Sequence, residues 1–167
     1  MNVINFLENC VEKFPTKLAI IDNGKRITYQ QLYDNVQKIS SSIKNFDTNE
    51  VISLISENSI SFIIAYLGII NAGKIVHLIP PEISEHNLLE QLETSSSEMI
   101  ISTHKSKWDF MNYSSINIPI IDFSDLQNKR VQTEGDSKSN KLAYLTYTSG
   151  TTSKPKGVAI SHEMVEF

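Results

Sequence analysis

The sequence predicts an α/β fold, a layered and mostly parallel sheet with flanking helices. Two observations carry that prediction. Short runs such as "VISLIS", "IVHLIPP", "EMIIS" and "IPIID" read as strands, and the first is apolar almost throughout, as in a strand covered on both faces. Segments with apolar residues at helical spacing separate most of these runs. That alternation favours parallel strands joined by right-handed crossovers, with helices on both faces.

Val3, Phe6, Leu7, Cys10 and Val11 recur at helical spacing, which predicts an amphipathic first helix. "KLAIIDNGKRITY" then sets two β-type runs around Asn23-Gly24, a pair that tolerates the positive φ of a tight hairpin. Thr28 precedes Gln31 by three residues, a capping-box pattern, and Leu32, Val36, Ile39 and Ile43 continue it as a second helix. After "VISLIS", Asn58 or Ser59 can cap a third helix. Its apolar side carries Phe62, Ile63, Tyr66, Leu67 and Ile70, and Gly73 suits its C-terminal end. Pro80-Pro81 ends "IVHLIPP", and Ser84 opens a helix with Leu88, Leu89 and Leu92. "HKSKWDFMN", between "EMIIS" and "IPIID", is a short helix or loop. Residues 122–141 are polar without an apolar period, which predicts a surface connection. "KLAYLTYT" and "GVAIS" are two more strands whose pairing can differ from the rest, and "HEMVEF" opens a helix.

The 167 residues make one domain by size, or a piece of a larger one, and a chain this long buries ~70% of its unfolded surface. Lys plus Arg is 15 and Asp plus Glu is 19, a net charge of −4, which argues against a dedicated nucleic-acid binder. Cys10 is the single cysteine, so no internal disulfide can form, and a reducing cytoplasm fits. "MNVINFLENC" has no basic start and holds Glu8 in its apolar run, unlike a signal peptide. The longest apolar run, "FIIAYLGII", is far shorter than the ~20 residues of a membrane helix. A soluble, cytoplasmic protein is expected.

The stretch richest in chemistry is "YTSGTTSKPKGVAISH", Tyr147 to His162. Ser149, Thr151, Thr152 and Ser153 supply hydroxyls, Lys154 and Lys156 supply charge, and Gly150 and Gly157 let the backbone turn sharply. Such donors suit an anion, and a triphosphate is a credible guest. The order is not that of a Walker loop, because the lysine precedes its glycine and a strand-like run follows. No G-x-G-x-x-G dinucleotide fingerprint occurs in the chain.

"YTSGTTSKPKGV" resembles the phosphate-binding signature of the adenylate-forming, AMP-binding acyl-activating superfamily: acyl- and aryl-CoA synthetases, peptide-synthetase adenylation domains and luciferases. Its usual form is Y-T-S-G-T-T-G-x-P-K-G-V, and eleven of twelve positions agree when the variable one counts as a match. "FLENCVEKFPTKLAIIDNGKRITYQQLYDNVQKISSSI" is similar to the family's opening, and "NSISFIIAYLGIINAGKIVHLIPP" to its second core segment. Two positions depart. Ser153 stands where Gly is usual, at a cost of ~1–2 kcal/mol if φ there is positive. "HLIPPEIS" lacks the polar residue usual before the proline, which leans away from amino-acid-activating members and toward a CoA ligase.

The resemblance implies the first part of the large N-terminal domain of an adenylate-forming enzyme over residues 1–167, truncated after the phosphate-binding loop. It implies a ligase that joins a carboxylic acid to AMP from ATP and passes the acyl group to CoA or a phosphopantetheine carrier. Thr148, Ser149, Gly150, Thr151, Thr152, Ser153, Lys156 and Gly157 are then the ATP- and pyrophosphate-binding residues, with Mg2+ contacts outside the chain. The catalytic set is incomplete in this stretch, so the chain alone is expected to be inactive. Lys154, at the variable position, reads as a solvated charge.

Other candidates stay structural. His77, His86, His104 and His162 are scattered without metal-ligand spacing. His77 reads as a satisfied core or edge histidine, His162 as a cap of the last helix, and Trp108 as a partly buried anchor. The competing reading is a non-catalytic nucleotide-binding or self-associating module, a homodimer through exposed sheet edges.

Overall fold

The computed structural model describes residues 3–46, 50–103, 115–128, 140–148 and 156–165. Helix α1 (Val3–Lys13) leads into a hairpin, β1 (Leu18–Asp22) and β2 (Lys25–Thr28). The hairpin turns on Asn23 at φ 46° and Gly24 at φ 81°, the left-handed pair that an Asn-Gly turn accommodates at least strain. Helix α2 (Tyr29–Lys44) starts at a complete capping box. Thr28 Oγ1 accepts from Gln31 N at 3.2 Å, and the Thr28 N–H donates to Gln31 Oε1 at 2.9 Å. The helix runs to Lys44.

The remaining strands are β3 (Val51–Ile55), β4 (Ile75–Ile79), β5 (Ile100–Ser102), β6 (Ile120–Asp122), β7 (Leu142–Thr148) and β8 (Lys156–Ser161). They form one sheet in the order β6-β5-β3-β4-β7-β8. Every pairing is parallel except the last, where β8 returns antiparallel to β7. The α/β expectation and the separate behaviour of the last pair both hold.

Strand order places the helices. The step from β3 to β4 carries α3 (Ile60–Asn71), and the step from β4 to β5 runs back across β3 carrying α4 (Glu85–Ser95). Two right-handed crossovers in opposite directions put their helices on opposite faces. The two cores follow. Ile52, Leu54, Val76 and Ile101 join α1, α2, α3 and the short helix α5 (Phe123–Asn128) in the larger one. Ile55, Ile79 and Ile100 meet Leu88 and Leu92 of α4 in the smaller one. The chain closes with α6 (His162–Val165).

Three expectations need correction. Phe6 is exposed, and α1 buries Ile4 in its place beside the expected Leu7. Helix α3 buries Ile64, Ala65, Leu67, Ile69 and Ile70, whereas Phe62, Ile63 and Tyr66 are only half-buried. It is packed between β4 and α2, so a single apolar face is not the right description. Residues 123–128 of the supposed surface connection are helical. Phe123 and Leu126, three residues apart, are buried, and Ser42 Oγ donates to the Leu126 carbonyl at 2.8 Å. Residues 129–139 of that connection, and the "HKSKWDFMN" segment with Trp108, lie outside the described residues.

Helices α2 and α3 pack tightly at Gly68. A Cβ there would lie 2.5 Å from Ile39 Cγ2 and 2.7 Å from Ile39 Cβ. Both Ile39 and the helix backbone are buried, so neither retreats easily. Gly68→Ala is expected to cost about 1–3 kcal/mol through overpacking, read by urea unfolding. A stabilised variant would show that the two helices separate freely.

Candidate functional site

In parallel sheets, ligands bind beyond the carboxyl ends of the strands, near the point where the crossovers diverge. Here that edge is formed by Ile55, Ile79, Ser102 and Thr148. The divergence lies between β3 and β5. Just beyond it Ser56 Oγ and Thr103 Oγ1 share a hydrogen bond of 2.6 Å, and the Thr103 N–H donates to the Ile55 carbonyl. With strands spaced about 4.8 Å apart, β5 and β7 stand roughly 14 Å apart along the same edge.

Strand β7 ends at Thr148 and β8 begins at Lys156, and the two residues are directly paired. Their side chains therefore leave the sheet on one face, and both residues are exposed. The structure thus brings Thr148, Lys156 and Gly157 together at the carboxyl edge. Ser149, Gly150, Thr151, Thr152 and Ser153 fall within 149–155, outside the described residues.

Gly157 has a role other than the sharp turn expected of it, because its φ is not positive. It lies opposite Tyr147, and a Cβ on it would stand 3.2 Å from Tyr147 Cε1 and Cζ. The aromatic ring takes the space that the glycine leaves empty. Tyr147 OH also lies 2.8 Å from Thr94 Oγ1 on α4. The Thr94 proton is directed at the Glu90 carbonyl at 2.8 Å, so the phenol is the donor of the pair. Behind the ring stands His77 of β4, edge-on at 5.1 Å between centroids.

His77 is fully buried between the sheet and α4. Ser53 Oγ donates to Ser97 Oγ at 2.8 Å, and Ser97 Oγ donates to the Met99 carbonyl at 3.1 Å. With its own proton used, Ser53 Oγ accepts from His77 Nδ1–H at 2.9 Å. The imidazole is then neutral with its lone pair on Nε2, which faces the Gln91 side-chain amide at 3.4 Å. That lone pair needs the NH2 end of the amide, so the Gln91 group is best taken with its nitrogen toward the ring. Burial pushes the His77 pKa down to about 4. The expected core histidine is found, with a richer set of partners than its sequence position announced. His162 is buried at the start of α6. Ser161, one residue earlier, makes the cap by accepting from Met164 N at 3.3 Å.

A concavity of about 610 Å³ lies between the β1–β2 hairpin and the start of α3. It is lined by Asp22, Lys25, Arg26, Glu57, Asn58 and Ser59 among others. The Asp22 carboxylate already accepts from Ile60 N at 3.2 Å, so the positive end of α3 has an anion of its own. Among the described residues no group of three or more His, Cys, Asp or Glu could hold a metal, and no helix is long and apolar enough to cross a membrane.

This is an α/β domain whose mostly parallel sheet brings Thr148 and Lys156 together at its carboxyl edge. The family model described as "AMP-binding enzyme" matches residues 7–166, and the chain belongs to that family. Its curated relatives include tyrocidine synthase 1 of Brevibacillus parabrevis, 28% identical over 97% of this chain, and bacitracin synthase 3 of Bacillus licheniformis, 28% identical over 92%. The chain spans only 15% and 2% of those two relatives. The fold is similar to part of o-succinylbenzoate CoA synthetase from Bacillus subtilis, solved in complex with an acyl-adenylate intermediate. The TM-score is 0.80 at 24% identity, covering 94% of this chain and 42% of that one. The N-terminal subdomain of Klebsiella oxytoca NpsA aligns with a TM-score of 0.78 at 22% identity, over 96% of this chain and 41% of that one.

The Tyr147, Thr94 and His77 arrangement escaped the sequence reading. A tyrosine two residues before Ser149 was visible, but its partners are 53 and 70 positions upstream. A pH effect follows from His77. In the unfolded chain its pKa is near 6.5, and in the fold about 4, so between those values the unfolded state binds more protons. The contribution is complete above pH 6.5 and is lost as pH falls toward 4. Urea unfolding at pH 7 and pH 5 is expected to show His77 removing on the order of 2 kcal/mol. His77→Gln should lose that increment of the pH slope, and an unchanged slope would contradict the neutral, buried imidazole.

Proposed function

We propose that this chain supplies the polyphosphate-binding edge of an AMP-forming ligase. In that reaction a carboxylate oxygen attacks the α-phosphorus of ATP, pyrophosphate departs, and an acyl-adenylate forms. A thiol of CoA or of a phosphopantetheine carrier then takes the acyl group. The single observation that carries this reading is the position of the signature: Thr148 and Lys156 face each other across the last pair of strands, at the edge where parallel sheets bind ligands.

Thr148 to Thr152, with Ser153, offer hydroxyl and backbone donors to the β- and γ-phosphates, and Lys156 offers charge. Charge near the leaving pyrophosphate helps the reaction because it opposes the negative charge that develops there. Gly157 contributes by leaving room for Tyr147. The donors in the signature are hydroxyls, amides and ammonium groups, which suit phosphate oxygens better than a metal. Mg2+ is therefore proposed to arrive with ATP and to be held chiefly by groups outside this chain.

Membership of the family supports a carboxylate-activating ligase. The preference for CoA drawn from "HLIPPEIS" has a counterweight in relatives that are named as synthases of tyrocidine and bacitracin. The proposal accordingly leaves the acceptor at the level of CoA or a carrier thiol. Because the chain spans about two fifths of the solved relatives, the acid pocket and the acceptor site are proposed to lie beyond it. Cytoplasmic ATP fits this chemistry.

Mg-ATP binding tests the assignment. Removing a charge-assisted contact costs about 1.5–3 kcal/mol, so Lys156→Ala should weaken Mg-ATP roughly tenfold or more by titration calorimetry. Equal affinity in the variant would remove Lys156 from the site.

A further inference from the structure

We propose that Tyr147 is a positioning residue for the bound polyphosphate, acting through Lys156. This inference rests on the nucleotide-binding reading above and adds a residue that the signature's own chemistry does not explain. A tyrosine beside a phosphate-binding turn could offer its hydroxyl to the ligand. Here the hydroxyl is committed elsewhere, because it donates to Thr94 Oγ1, whose own proton goes to the Glu90 carbonyl.

The ring is held on three sides. His77 presses edge-on from β4 at 5.1 Å, the bare backbone of Gly157 faces it from β8, and α4 holds the hydroxyl. His77 is itself fixed by Ser53, so the post is anchored in the buried interior rather than in a mobile surface. Tyr147 and Gly157 are paired one position inward from Thr148 and Lys156. The register of the inner pair therefore sets that of the outer pair. A slip of one residue would turn the Lys156 side chain to the opposite face of the sheet. Gly157 gives the ring its room, because a Cβ there would stand 3.2 Å from the ring and the ring would have to shift.

The test is a double-mutant cycle on Mg-ATP affinity in the whole chain. Tyr147→Leu is expected to weaken binding about tenfold, and Tyr147→Phe, which keeps the ring, to stay within about threefold of the unaltered protein. In a Lys156→Ala background, Tyr147→Leu should have no further effect, since positioning acts through that lysine. A purely structural role would lower affinity equally in both backgrounds. That result overturns the inference, as does a Tyr147→Leu chain that binds like the unaltered one. If Tyr147→Leu fails to fold, Gly157→Ala and Thr94→Val displace the same ring from its other sides and take its place in the cycle. Absence of Mg-ATP binding by the unaltered chain would overturn the nucleotide reading, and this inference with it. Binding that ignores Tyr147 would overturn this inference alone.

Discussion

A neutral imidazole in the interior of a parallel sheet has few acceptable surroundings. It carries one donor and one acceptor, and each must find a partner away from water. His77 meets that condition only where β3 brings Ser53 alongside β4 and where α4 brings Gln91 over the sheet. Sliding β4 by one residue would turn the ring into the layer that holds Ile39, Ile69 and Val76, with no polar partner. The hydrogen bond from His77 to Ser53 thus specifies register as well as contributing stability. Through its edge-on contact with Tyr147 the same ring sets the neighbouring strand β7, and so the Thr148–Lys156 pair at its end.

Much of the architecture was legible because local and long-range preferences agree. Asn23-Gly24 demanded a left-handed turn and obtained one, and Thr28 with Gln31 formed both bonds of the capping box. The apolar runs became strands in the expected order of α and β elements. Where the reading went astray, tertiary packing decided. Phe6 has the right spacing for the core, yet the register of α1 buries Ile4 in its place. Helix α3 is covered on more than one side, so periodicity alone misplaces its buried face. Phe123 and Leu126 make a single apolar turn, too short a pattern to stand out in a polar stretch.

At the site, the signature was readable from residue order, but the support beneath it was not. Gly157 looked like a backbone requirement and is instead a matter of volume, decided by the ring across the strand pair. Thr94 and His77 reach Tyr147 through chain reversals that no local pattern encodes. The general lesson is physical. Hydroxyls, glycines and lysines at fixed spacing are visible in the sequence alone. The packing around the described ends of that stretch, Tyr147 and Gly157, comes from distant strands and helices.

The hairpin cleft and the carboxyl edge of the sheet offer charged ligands different terms. The cleft beside the hairpin combines Lys25 and Arg26 with Asp22 and Glu57, and its helix end is served by Asp22. The carboxyl edge at β7 and β8 offers Thr148 and Lys156 without a paired acid in the signature. Amide chemical shifts recorded during a Mg-ATP titration separate the two directly. The largest changes are expected at Thr148, Lys156 and Gly157, with Asp22 to Arg26 and Asn58 to Ser61 unmoved. Changes centred on the hairpin cleft, or none at the β7–β8 edge, would contradict the placement of the polyphosphate at the carboxyl end of the sheet.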